Sequence, residues 1–456
     1  MRNLWLAPLV MLVACSADAI PPPDVRLLVG QENETWSADP PPTRVQVEFV
    51  STEGARTVIG QSTAPAQAVT IRNPGSPTGV VGRFEVTGFD AADTPLVRGA
   101  SVPYIVYNLR TGSIPIFVAR AAAWSRAPEN LEHGRVRPVA LVADQFRDQS
   151  LVITAGGEVK DFNPAIPDVY DVIYWKGLKE QPAFPRAPKS MVLVGTKLLC
   201  IDDAGASSID LAIDKVREEP APPGLTFAEV AGGDVFRLAD GTSYVVGATR
   251  ATGDATAKVL RIEGRSDALT MRTVSLTAAR RGAAAGVVGG NLVVWGGSAE
   301  GSGAEALTKA QDAFTPLPFP PDATAGLGLA TVEGNTVLLA GGKDLVTGAA
   351  APWRTFDVAC TADCAATELA TPPRALDRTH VFRLGTGNLL VAGESEDGEF
   401  HAFSLATSPP EITERPLRER RRGATSLWLP NGQPGVLGGE NPETAEPILS
   451  IETFFF

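Results

Sequence analysis

Short apolar runs that stop at glycine recur along the last two-thirds of the chain. They are Leu151-Val-Ile-Thr-Ala-Gly-Gly157, Leu292-Val-Val-Trp-Gly-Gly297, Val337-Leu-Leu-Ala-Gly-Gly342, Leu389-Leu-Val-Ala-Gly393 and Val436-Leu-Gly-Gly439. Two weaker members, Lys197–Ile201 and Ser243–Gly247, fill the gap between the first and second. With Gly156, Ile201, Gly247, Gly296, Gly341, Gly393 and Gly438 as markers, seven units follow one another 45 to 52 residues apart. Nothing between the markers has the length and 3.6-residue period of an amphipathic helix, which excludes most helical solenoids and βα repeats.

Each unit has the same inner order. An apolar strand comes first, such as 283–288 or 326–332, and a Gly/Asn turn follows. The marker strand is next, then a polar loop, a third strand such as 355–358 or 400–405, and a short Pro-rich strand such as 314–318. Four antiparallel strands per period is the make-up of a propeller blade. Proline suits the last strand, because an outer edge can spare backbone donors. The last unit ends after three strands, at Phe454-Phe455-Phe456, and Ala123-Trp124-Ser125-Arg126 upstream reads as its missing fourth. Pairing of the two would close the ring and remove its exposed edges. The expected fold is therefore an all-β, seven-bladed propeller over residues 121–456. Residues 24–120 hold alternating strands between Pro and Gly turns, at 25–29, 44–50, 69–71, 83–89, 97–99 and 114–118. They predict a β-sandwich of immunoglobulin-like size.

The double glycine closing the second strand, at this period, resembles the kelch repeat, and the resemblance covers about 330 residues. It implies a propeller of the galactose oxidase central-domain type. Units one, four, five and seven keep Gly-Gly, the sixth has Gly393-Glu394, and the second and third have lost the pair. At the other end, Met1-Arg2-Asn3 is followed by an apolar run from Leu4 to Val13, too short to span a membrane. It ends in Leu12-Val13-Ala14-Cys15, which resembles the lipobox of bacterial lipoproteins. That resemblance implies a signal peptide over 1–14, a lipid-bearing Cys15 and a Pro-rich tether over 15–23. With Ser16 rather than Asp at the second mature position, it implies an outer-membrane protein facing the periplasm or the cell surface.

Composition narrows the functional classes. Lys plus Arg is 40 and Asp plus Glu 52, a net charge of −12, which argues against a nucleic-acid binder. Four cysteines and three histidines leave little for a metal site. In an oxidising compartment Cys360 and Cys364 are expected to form a disulfide, and Cys200, inside an apolar run, a buried free thiol. Nucleophile-elbow serines and phosphate-cradling glycine loops do not occur in the sequence. No cofactor is expected, and the chain reads as a monomer.

One chemical pattern does repeat. Arginines fall in the links between units: Arg135 and Arg137, Arg280 and Arg281, Arg374 and Arg378, then Arg418, Arg420, Arg421 and Arg422. Acidic residues follow the glycine stops: Glu158, Glu300, Glu394 and Glu440. Propeller topology puts both sets on one face, near the channel. They can hold blade to blade as Arg–Glu pairs. Alternatively Arg280, Arg281, Arg378, Arg420, Arg421 and Arg422 form a rim for an anionic partner. The expected function is a non-catalytic, membrane-anchored protein presenting a surface to a protein or glycan. The alternative is a carbohydrate-active enzyme with carboxylates converging at the channel mouth.

Overall fold

The computed structural model describes residues 22–456 apart from 76–78, 108–111, 147–148, 179–180, 266–267, 308–312, 363 and 386. The proposed signal peptide, Cys15 and most of the tether lie outside the described residues. The fold is all-β, with two single turns of 3-10 helix at Phe227–Glu229 and Gly247–Thr249. Among the described residues no helix is long and apolar enough to cross a membrane.

Seven four-stranded antiparallel sheets follow one another from residue 139 to the C-terminus. Their inner strands are Val139–Phe146, Ser190–Val194, Asp234–Arg237, Ala284–Val288, Thr324–Glu333, Asp377–Gly385 and Arg422–Trp428. Each packs against the next, and the last against the first, so the sheets form a closed seven-bladed propeller. The seventh sheet takes its outer strand from upstream. Ala123–Arg126 pairs antiparallel with Glu452–Phe455, with Trp124 opposite Phe454. The three terminal phenylalanines divide accordingly: Phe454 and Phe455 are buried and Phe456 is exposed.

The marker strands sit second in each blade and are covered on both faces by neighbouring blades. This is why they read as continuous apolar runs rather than alternating ones. Leu198 and Cys200 of blade 2 pack with Ile153 of blade 1, and Leu199 and Ile201 pack with Val245 of blade 3. Burial pushes the Cys200 thiol up to about 12, as suits an unreactive core cysteine. Cys360 and Cys364 form a disulfide, with Cα atoms 5.9 Å apart.

The glycine stops have a steric cause. A Cβ on Gly156 would lie 2.0 Å from the Pro188 carbonyl oxygen of the next blade, and one on Gly341 would lie 2.1 Å from Thr379 Oγ1. In three of the four pairs the second glycine donates its N–H into the following link: Gly297 to Thr324, Gly342 to Leu376 and Gly439 to Arg135. Blade-to-blade backbone bonding thus needs bare backbone at these points.

Upstream of the ring, eight strands hydrogen-bond into one mixed sheet, which includes two segments not read from the sequence, the eight-residue Arg56–Thr63 and the short Tyr104–Val106. Asp24–Val29 runs parallel to Ser113–Arg120. The inward side chains of all eight strands, among them Val25, Val47, Phe84 and Ile116, share one apolar cluster. This sheet is seated on blades 1 and 7. Phe117 meets Trp175 and Phe455 edge to face, with ring centres 4.8 and 4.9 Å apart. Beside it, Glu32 accepts hydrogen bonds from Ser125 Oγ and from Arg126 N and Nε.

Candidate functional site: the channel mouth

The inner strands enclose a channel of about 1560 Å³. All seven begin at the same end, where the links arrive and the glycine stops finish. The chemistry of this mouth is set by two alternating link positions.

The first position points into the blades. In blade 4, Arg280 donates from Nη2 to Glu305 at 2.9 Å and from Nη1 to the Gly296 carbonyl at 2.8 Å. In blade 7, Arg421 donates to Glu452 at 2.8 Å and to the Gly438 carbonyl at 3.1 Å. In blade 1, Arg135 donates to Asp168 and to the Gly156 carbonyl, both at 3.2 Å, and to the Ile166 carbonyl. Each guanidinium therefore binds a glycine stop, a loop carbonyl and the carboxylate that opens the third strand. None of the three has an exposed side chain. Desolvation makes such pairs costly to break: removing one partner leaves a buried charge uncompensated.

Two residues later comes a position with left-handed backbone. It is glycine in blades 4, 5 and 7: Gly282, Gly326 and Gly423, with φ of 64°, 80° and 68°. In blades 1 and 6 it is Arg137 and Arg378, with φ of 53° and 50°. A side chain in this region costs on the order of 1–2 kcal/mol relative to the ordinary one. The packing shows that the positions are equivalent: Gly326 donates its N–H to the Gly282 carbonyl, and Arg137 donates to that of Gly423.

Glu394 is the matching departure in blade 6, standing where four other blades have their second glycine. It is 7% exposed. Its Oε2 lies 3.5 Å from Arg137 Nη2 and 3.9 Å from Arg378 Nε. Arg137 spans blade 7 to reach it, and Gly423 leaves the space: a Cβ there would sit 2.4 Å from Val136 Cγ1. Glu158 is 3.7 Å from the other Arg137 amino group. Glu394 Oε1 and Arg137 Nε are buried and have no hydrogen-bond partner among the described residues. The trio is loosely paired and carries net charge +1.

The sequence-derived rim divides three ways. Arg280 and Arg421 leave it, because both are buried staples. Arg420 and Arg422 are exposed but satisfied: Arg420 forks onto Glu399 at 2.6 and 3.1 Å and reaches Glu443 at 2.7 Å, and Arg422 holds Glu440. These carboxylates hold the pKa of Arg420 and Arg422 above the usual arginine value. Arg281 is exposed, and Arg378 lines the channel at 40% exposure. Arg374 and Arg418 are occupied elsewhere, by His401 and Glu34.

Deeper in the mouth, Asp234 of blade 3 lies within electrostatic reach of His380 and Arg378 of blade 6. Its side chain is exposed to the channel, walled by the surrounding blades. Desolvation pushes its carboxyl above the usual range, against the pull of His380, Thr249 and Arg378. His380 is held by Ser426, with Nδ1 2.6 Å from the carbonyl and 2.9 Å from Oγ. Asp234 was not visible as a site residue in the sequence, since nothing near it marks it out. Among the described residues, two groupings have metal-ligand types within reach of one another, Glu132/His133/Asp168 and Asp397/Glu399/His401. Both already serve arginines: Asp168 binds Arg135, and Glu399 binds Arg420.

No family model and no curated protein matches the chain. Solved structures do align with it at low similarity. YjhT shares 10% identity over 71% of this chain and 95% of its own, with a TM-score of 0.42. A quinonprotein alcohol dehydrogenase-like protein from Bacteroides thetaiotaomicron shares 9% over 85% of this chain and 92% of its own, with a TM-score of 0.43. BBS1N, solved in complex with ARL6DN, shares 10% over 73% and 97%, with a TM-score of 0.46.

Proposed function

We propose that this chain is a lipid-anchored binding protein of the bacterial envelope with a kelch-like propeller, and that its channel-mouth face receives a protein or glycan partner. Cys15 would carry the lipid, and the protein would sit on the outer membrane facing the periplasm or the cell surface. The observation that carries the binding reading is the gathering of Arg137, Arg378 and Glu394 at one point of the mouth. All three stand where other blades have glycine, and two are in strained backbone. Strain kept at a surface opening supports a role in function, because packing alone is served by glycine there.

Two measurements test it. Cells fed an alkyne fatty acid should label the wild-type chain and not Cys15→Ala; equal labelling would end the anchoring reading. A photo-cross-linking residue at Arg281, on the mouth face, should trap a partner that the same probe at Ile213, in an exposed turn at the opposite end of the blades, does not. Equal trapping at both would end the binding-face reading.

A carbohydrate-active enzyme is the second reading. It is favoured by Asp234, whose raised pKa suits a proton donor. Asp234→Asn would then abolish glycoside hydrolysis, whereas a binder has no such activity to lose.

A further inference from the structure

We propose that Arg137 and Arg378 form a carboxylate-binding fork at the channel mouth, with Glu394 as its built-in occupant, and that the partner supplies an acidic side chain of a polypeptide. The inference rests on the mouth face being the binding face, and it names the chemistry recognised there.

A guanidinium recognises a carboxylate through two parallel N–H donors at about 2.7–2.9 Å. Arg420 on Glu399 shows that this chain builds such forks where it uses them for structure. Arg137 and Arg378 do not: they share Glu394 at 3.5 and 3.9 Å, and Arg137's other contact is the exposed Glu158 at 3.7 Å. Both remain open to the channel, at 38% and 40% exposure. With Glu394 and Glu158 both held at 3.5 Å or more, the two guanidiniums keep terminal amino donors for an incoming carboxylate.

The rest of the mouth selects the carrier of that carboxylate. Asp234, Asp254 and Asp377 line the same channel among Lys189, Arg237 and Arg250, so its charge is mixed, and Asp234 faces Arg378 electrostatically. A uniformly charged polyanion, such as a uronic-acid chain, would meet these carboxylates as it entered. A peptide presenting one acidic side chain among neutral or basic neighbours would not. The channel also exceeds the roughly 300–1,000 Å³ typical of small-ligand sites, which suits an inserted segment.

The test is a titration of the folded chain with an end-capped hexapeptide of one Glu among five Ser, beside the same peptide with Gln for Glu, trigalacturonate and inorganic sulfate. The Glu peptide should bind at least tenfold tighter than the Gln peptide. Arg137→Gly and Arg378→Gly should each weaken it about tenfold without lowering Tm, since glycine suits that backbone. Glu394→Gln should strengthen it several-fold by removing the internal competitor. Arg420→Ser should leave it unchanged. Binding of trigalacturonate but not peptide would overturn the polypeptide assignment, and equal binding of sulfate would overturn carboxylate recognition. Indifference to both glycine variants would place any binding elsewhere. If the Arg281 cross-link forms while the peptide fails to bind, the fork is wrong and the binding face stands.

Discussion

Arg135 and Arg137 are separated by one valine and live in different regions of the molecule. Arg135 lies inside blade 1, saturated by Asp168 and three carbonyls. Arg137 stands at the channel mouth, in left-handed backbone, with long contacts to Glu158 and Glu394. Blades 4 and 7 keep the inner arginine, as Arg280 and Arg421, but have glycine at the outer position. The inner arginine is thus a recurring part of blade construction. The outer one is an addition in blades 1 and 6 that the ring itself does not need. Like residues in one link divide into structure and surface according to which way the strand entry turns them.

The largest expected effect breaks an inner staple. Arg280→Ala, or Glu305→Gln, should cost about 3–5 kcal/mol in urea unfolding, because either leaves a buried group unpaired. A loss under about 1 kcal/mol would mean that the staple is ornamental. An intermediate effect comes from Asp234. Its carboxyl binds a proton more tightly folded than unfolded, so its contribution to stability is lost as pH rises from the unfolded value near 3.8 through the raised folded one. Asp234→Asn should therefore stabilise the chain at pH 7 and flatten that part of the pH profile. A destabilised variant would show that the charged form is needed. The smallest effect belongs to the exposed outer pairs. Arg420→Ser and Arg422→Ser should leave Tm unchanged within error, as surface pairs contribute little. Arg421→Ser between them should behave like Arg280→Ala.

Much of this was legible in the chain. Six of the seven markers are glycines because blade contact forbids a Cβ there, and a steric rule applied in six blades leaves a period that Ile201 of blade 2 does not break. Trp124 could be matched to the last strand because a three-stranded final unit lacks an edge. The division of the arginines was written as well, in Arg135-Val-Arg137, Arg280-Arg-Gly282 and Arg421-Arg-Gly423, although reading it needs the side-chain direction at each link. Gly393-Glu394 signalled an exception without showing where the Glu side chain would go. Asp234 carried no signal: its neighbours His380 and Arg378 are three blades away and meet it only across the channel. The edge strand Arg56–Thr63 was hidden because only Ile59 is buried and its other residues, Val58 apart, are polar or glycine.

The most direct measurement is urea unfolding of Arg135→Gly and Arg137→Gly side by side. Arg135→Gly should lose about 3–5 kcal/mol, while Arg137→Gly should match or exceed the wild type. Equal losses, or a larger loss at Arg137, would show that the mouth arginine is part of the ring's construction and would remove the ground for a binding fork.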